Sequence, residues 1–186
     1  MKLNTLVIDD FLDDPDEIRN LLIEGMKKVS FNIVGVSPGK RIPPVDNPGY
    51  KNMIVKKLHE VLPFKIEMKA WSFSFQLSLS SDTVATLHVD PTQWAGVLYL
   101  TPNAPIESGT LLFKEDVKLV KKLRDYDGPF RAEGEVRAEV MSVLGNVYNR
   151  LVLFRGNKIP HRSNLSGFGD CLENGRLTQV FYFDEV

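Results

Sequence analysis

The sequence is short of the residues on which several protein classes depend. It has one cysteine, Cys171, in 186 residues. That excludes a disulfide framework within the chain and any zinc site built from several thiolates. Cys171 itself reads as an incidental free thiol. No apolar run approaches the roughly 18 residues that a membrane-spanning helix needs. The opening, MKLNTLVIDDFLDD, turns acidic almost at once. It carries neither the apolar stretch nor the small-residue cleavage site of a secretory signal. Charge of one sign is missing too, because 23 Lys and Arg face 24 Asp and Glu for a formal net charge of −1. Bulk charge therefore gives no grip on nucleic acid. The expectation is a cytoplasmic protein, a single domain over 1–186, with neither a membrane nor nucleic acid among its partners.

What is present begins as helix and continues as sheet. Residues 5–11, TLVIDDF, read as a short strand. Asp14-Pro15-Asp16-Glu17 is a helix start: Asp14 caps, Pro15 needs no N–H there, and Glu17 can reach back. Ile18, Leu21, Leu22, Met26 and Val29 follow at helical spacing. Residues 35–50 hold four prolines and three glycines without an apolar period and read as a stiff loop. A second short helix fits 52–62. In WSFSFQLSLS, Phe73, Phe75, Leu77 and Leu79 alternate with Ser72, Ser74, Gln76 and Ser78, the pattern of a half-buried strand. Further strands are expected at 84–88, 95–101, 109–113, 150–155 and 176–183, separated by turn signals. Such a series favours a sandwich, barrel or jelly roll over a parallel sheet. Residues 114–148 break the series and read as an insertion that starts with a helix-compatible stretch. Its Lys118, Lys121, Lys122, Arg124, Arg131 and Arg137 are offset by seven acidic residues, which makes it a solvated face. The class is mainly β with flanking α, two N-terminal helices packed on a jelly roll.

Only three histidines are present. His59 sits in the second helix and reads as an ordinary helical residue. His88 and Asp90 form His-x-Asp at the end of a strand, and residues two apart on a strand share a face. His161 follows the strand LVLF, far along the chain. Two imidazoles and one carboxylate are the facial triad of a non-haem Fe(II) site with open positions. Structural zinc would call for a closed shell of four ligands. Arg176 opens the last strand, RLTQVFYF, and Thr178 shares its face. An arginine turned into an apolar barrel needs an anion, or its desolvation goes uncompensated. A planar guanidinium suits a carboxylate in bidentate fashion. Arg176 and Thr178 thus read as a carboxylate clamp.

These residues resemble the Fe(II)- and 2-oxoglutarate-dependent dioxygenases, in particular their prolyl-hydroxylase-like branch. The matching segments, in order, are HVD at 88–90, GVLYLT at 96–101, SGTLLF at 108–113, NRLVLF at 149–154, PHRS at 160–163 and RLTQVFYF at 176–183. The N-terminal VIDDFLDDPDEIRNLL looks like the leading strand and helix of that branch. The resemblance implies a double-stranded β-helix, with His88, Asp90 and His161 as catalytic iron ligands. It implies Arg176 as partner of the distal carboxylate of 2-oxoglutarate, assisted by Thr178. Where some members place a tyrosine on the strand before His-x-Asp, this sequence has Gln76 and Ser78. Tyr99 is a further candidate for the co-substrate pocket, and either it or Leu98 faces inward. The His161-to-Arg176 spacing exceeds the common pattern, with SNLSGFGDCLENG between. Fe(II), 2-oxoglutarate and O₂ are the implied cofactors and co-substrates, and hydroxylation with release of succinate and CO₂ is the implied reaction. The substrate, a small molecule or a protein side chain, is not legible, and the loops at 35–50 and 114–148 are its candidate lids. The competing reading is a cupin-like jelly roll that binds a metal or ligand without turning over 2-oxoglutarate.

Overall fold

The computed structural model describes residues 3–28, 39–43, 47–82, 87–114, 130–131, 138–165 and 167–186. Strand β1 (Thr5–Ile8) leads into helix α1 (Pro15–Lys28). Asp14 Oδ1 accepts the Glu17 N–H at 3.0 Å, the cap expected from the sequence. Ile18 and Leu22 turn inward, whereas Leu21 is 62% exposed and lies off the buried face. Strand β2 (Lys40–Ile42) follows, then helix α2 (Pro48–Val61).

Both elements correct the reading of 35–50 as loop. Gly39 has φ +90°, and a Cβ there would stand 2.3 Å from the Leu77 carbonyl oxygen. Only glycine brings the backbone this close in this conformation, and the chain then runs on as a strand. Asn47 caps α2 by accepting the Tyr50 N–H at 3.1 Å, with Pro48 in the first turn. The helix thus starts four residues before the expected 52.

Strands β3 (Ile66–Met68), β4 (Phe75–Ser78), β5 (His88–Val89), β6 (Trp94–Tyr99) and β7 (Thr110–Phe113) come next. After them run β8 (Phe130–Arg131), β9 (Val140–Leu144), β10 (Leu151–Phe154), β11 (His161–Ser163) and β12 (Arg176–Glu185). They form two antiparallel sheets. The larger has the order β1-β10-β6-β12-β4-β2, with β3 also on β12, and the smaller β8-β5-β11-β7-β9. From β4 to β7 successive strands alternate between the sheets, and from β10 to β12 they do so again. Val140–Leu144, read above as part of the insertion, is a strand paired with β7. Residues 84–86 of the strand expected at 84–88, and 115–129 and 132–137 of the insertion, lie outside the described residues.

Period-two alternation sorts the larger sheet's side chains onto two faces. Phe75 and Leu77, Trp94 and Leu98, Leu151 and Leu153, and Leu177, Phe181 and Phe183 pack with Ile54 and Leu58 of α2 and Leu22 of α1. The opposite face meets the smaller sheet, where Ala95, Tyr99, Val152, Phe154 and Leu112 form a second cluster. Leu98 therefore faces the helices and Tyr99 the space between the sheets, which settles the alternative left open by the sequence.

A fully buried polar residue sits on the helix-facing side of β12. Gln179 is fully buried, accepts from the Tyr50 hydroxyl at 2.5 Å and donates to the Phe73 carbonyl at 3.3 Å. Tyr50→Phe leaves the amide oxygen buried without its donor, an expected loss of about 1–3 kcal/mol. Urea unfolding of the two proteins measures it, and an unchanged midpoint would show that the bond adds no net stability.

Candidate metal centre

β5 and β11 pair so that His161 lies directly opposite His88. The backbone register therefore sets two imidazoles side by side, with ring centroids 4.4 Å apart. Asp90 follows β5, and its N–H donates to the Gly156 carbonyl at 2.8 Å. A Cβ on Gly156 would stand 3.1 Å from Asp90 Cβ and 3.0 Å from Ala95 Cβ, so a side chain there would crowd the turn after β10 against both. The carboxylate is 3.1 Å from His161 Nε2 and 3.8 Å from His88 Nε2. Among the described residues these three form a cluster of donor atoms within 4.8 Å of one another.

The donor set fits a metal ion. Bonds of about 2.1 Å at right angles put neighbouring donor atoms about 3 Å apart, which the 3.1 Å between Asp90 and His161 matches and the 3.8 Å between Asp90 and His88 exceeds. His161 Nδ1 is 2.9 Å from the Ile159 carbonyl. A carbonyl only accepts, so Nδ1 carries the proton and the Nε2 lone pair is left for a metal. Phe154 holds the ring from the side, centroid to centroid 4.5 Å. Burial pushes the Asp90 carboxyl up, but His161, His88 and Arg41 outweigh it and hold the group below its ordinary value. The carboxylate form, the one that binds metals, is thereby favoured.

A cavity opens from this cluster between the sheets. Thr178, Val180 and Tyr182 of β12 line it, as do Gln76 and Ser78 of β4 and Ala95, Gly96 and Val97 of β6. Thr110 and Ser163 face it from the smaller sheet. Arg176 closes the other end. Its Nε donates to the Ser108 carbonyl at 2.8 Å, and its guanidinium carbon is 5.7 Å from the centre of the Tyr99 ring. The side chain is buried, yet no carboxylate of the described residues lies within ion-pair distance of it. Burial accordingly pushes the guanidinium below its ordinary value. Tyr99 does not line the cavity. It lies behind it, its hydroxyl 2.8 Å from Thr110 Oγ1. Thr178 Oγ1 makes a long contact of 3.5 Å to the Gln76 carbonyl.

The structure thus gathers His88, Asp90, His161, Arg176, Thr178, Gln76 and Ser78 around one cavity and sets Tyr99 beneath it. The sequence reading missed Arg41 and Tyr182, which also line it. Tyr182 was legible in part, because it shares the face of Arg176 in the alternation of β12. Arg41 carried no such signal, since its strand has three residues among prolines. His59 lies apart, on α2.

No family model and no curated protein sequence matches the chain. Solved structures do: the chain shares its fold with prolyl hydroxylases and other iron- and 2-oxoglutarate-dependent enzymes. A prolyl-4-hydroxylase from Pseudomonas putida matches over 98% of this chain and 93% of its own, with a TM-score of 0.55 and 16% identity. A prolyl hydroxylase from Trichoplax adhaerens, solved with a peptide of the hypoxia-inducible factor oxygen degradation domain, covers 97% and 84%, with 0.61 and 15%. HygX from Streptomyces hygroscopicus, solved with nickel and 2-oxoglutarate, covers 97% and 82%, with 0.56 and 12%. At these identities the likeness concerns the fold. No helix of the described residues is long and apolar enough to cross a membrane.

A buried cation without a carboxylate partner costs stability in the absence of a ligand. Arg176→Met should therefore leave the ligand-free protein as stable as wild type or more so, by on the order of 1 kcal/mol. Thermal unfolding checks this. A loss of several kcal/mol would make Arg176 a structural residue.

Proposed function

We propose that this protein is a non-haem Fe(II)- and 2-oxoglutarate-dependent oxygenase that hydroxylates a small molecule or a protein side chain. In this reading residues 1–186 are one domain, and the alternation of strands between the sheets is that of a double-stranded β-helix. The observation that supports it most is the pair of unmet needs at the two ends of one cavity. At one end three donor atoms converge. At the other a buried guanidinium has no carboxylate of the described residues beside it. A dicarboxylic keto acid satisfies both. A cupin-like protein that binds only a metal has no use for the second.

His88, Asp90 and His161 would hold the iron, which supplies the coupling of dioxygen reduction to decarboxylation of 2-oxoglutarate into succinate and CO₂. The protein's part is to bind and orient. Proton-bearing Nδ1 on His161 keeps that ring's Nε2 toward the site, and the Asp90 N–H bond to Gly156 fixes where the carboxylate starts. Ser108 occupies the Nε of Arg176, which leaves the two terminal nitrogens for bidentate capture of the distal carboxylate. Thr178 adds a hydroxyl on the same face. Tyr99 stands under Arg176 and fixes its height over the cavity. Val180, Ala95 and Val97 give the cavity an apolar wall, and a dry wall strengthens each of these polar contacts.

The test is an anaerobic Fe(II) titration with and without 2-oxoglutarate, followed by the visible metal-to-ligand charge-transfer band that a chelating keto acid gives. Wild type should show the band. His161→Ala should abolish it through loss of metal. Arg176→Ala should keep the metal and raise the 2-oxoglutarate concentration needed by tenfold or more, since a charge-assisted bidentate contact is lost. Iron binding without the band would hand the site to the metal-binding jelly-roll reading.

A further inference from the structure

Arg176 starts on the larger sheet, and its Nε ends on the smaller one. The acceptor is the Ser108 carbonyl, 2.8 Å away. Ser108 closes a single turn of 3₁₀ helix, Ile106–Ser108, which leads through Gly109 into β7. A turn this short has no ladder of its own to satisfy its carbonyls. Here each carbonyl from 105 to 109 accepts from a donor. Pro105 takes the Ser108 N–H at 2.9 Å and the Ser108 hydroxyl at 2.6 Å. Ile106 takes the Asn146 N–H at 2.9 Å. Glu107 takes Asn164 Nδ2 at 2.7 Å, and Gly109 the Asn164 N–H at 3.0 Å. The Ser108 carbonyl is the one that turns to Arg176.

The order of the smaller sheet explains the grip. β7 lies between β9 and β11. Asn146 stands just past the end of β9 and Asn164 just past the end of β11. The two asparagines therefore hold the turn from opposite sides. A Cβ on Gly109 would run into the Leu144 carbonyl oxygen, so the turn meets the end of β9 at a closeness that only glycine allows. Asn146 adds a side-chain bond. Its Nδ2 donates at 2.9 Å to the Ser108 hydroxyl, which itself donates to Pro105. Ser108 and Asn146 are both buried, so losing either partner carries a desolvation cost. The turn thus ties the guanidinium of one sheet to the sheet that carries both histidines of the donor cluster. Any ligand that reaches from the cluster to the guanidinium must match the spacing set by this tie.

We propose that Asn146 and Asn164 are positioning residues for the co-substrate. They hold the 105–109 turn, its Ser108 carbonyl holds Arg176 Nε, and the terminal nitrogens are thereby aimed at the distal carboxylate of 2-oxoglutarate. This rests on the oxygenase reading and adds to it two residues that do not line the cavity. An arginine side chain turns about several torsions. A fixed acceptor at Nε removes much of that freedom before the ligand arrives, and such preorganisation raises affinity.

The test follows the charge-transfer band of the anaerobic Fe(II) protein during titration with two keto acids. One is 2-oxoglutarate. The other is 2-oxopentanoate, which carries a methyl group in place of the distal carboxylate. Asn146→Ala and Asn164→Ala should each weaken 2-oxoglutarate by about three- to tenfold, the range expected of one hydrogen bond. Affinity for 2-oxopentanoate, and for Fe(II) alone, should stay at the wild-type level. A residue that only supports the fold would weaken both keto acids or neither. Equal weakening of the two acids, or a loss of Fe(II) affinity, therefore overturns the proposal. An unchanged 2-oxoglutarate affinity overturns it for the residue concerned. Asn164 is the less buried of the two, and its variant keeps the backbone bond to Gly109. It decides the outcome if the melting temperature shows that Asn146→Ala fails to fold. Absence of the band in wild type with 2-oxoglutarate is a different result, which refutes the oxygenase reading and this proposal with it.

Discussion

Ten residues of β12, hydrogen-bonded along both edges, separate the two interiors of this molecule. β6 runs along one edge from Thr178 to Phe183, while β4 and β3 share the other. Leu177, Phe181 and Phe183 are committed to the helices, and Arg176, Thr178, Val180 and Tyr182 to the cavity. Because side chains alternate with period two, a slip of one residue would exchange the sets. Phenylalanines would then fill the cavity and a guanidinium would enter the apolar layer under α2. Gln179 tightens this further, because its amide is paired with Tyr50 and Phe73 on the helix-facing side. The register that stabilises the core is thus the same register that aims the site.

The smaller sheet carries the metal cluster on very little strand. β5 has two residues and β11 three. Their positions are held instead by single backbone bonds, such as Asp90 N–H to Gly156, and by ring contacts such as Phe154 on His161. The division of labour is physical. The larger sheet has a hydrophobic layer on each face and can absorb the cost of a buried arginine. The smaller sheet carries the histidines of the donor cluster on short segments. Polar groups turned into an interior are a cost unless they are paired, and here Ser78, Asp90, Thr110, His161, Arg176 and Thr178, all buried, line one cavity.

Much of this was legible in the sequence because it is local. The alternation of 75–78 placed Gln76 and Ser78 opposite Phe75 and Leu77, and the structure agrees. His-x-Asp and the Arg176/Thr178 pair are also local facts of strand geometry. That His161 should meet His88 came from residue type and not from spacing, since pairing across 73 residues has no local signature. Tyr99 and Leu98 could not be told apart until the register set Thr178 opposite Tyr99. Arg41 was illegible for a different reason. A three-residue edge strand in a proline-rich stretch has too few positions for any period to appear, and its partner β4 is the only thing that defines its faces. β9 was hidden likewise, because its Val140, Met141 and Val143 are all exposed and so do not mark a buried face.

A likeness of fold at 16% identity over nearly the whole chain has a physical explanation. The helix-facing layer asks only for apolar side chains of suitable volume, and cores tolerate wide exchange on those terms. The cavity asks for more. An imidazole with one nitrogen bonded to a backbone carbonyl, a carboxylate held in its charged form and a buried guanidinium each admit few replacements. What the protein does is therefore to be argued from these side chains rather than from the sheets that carry them.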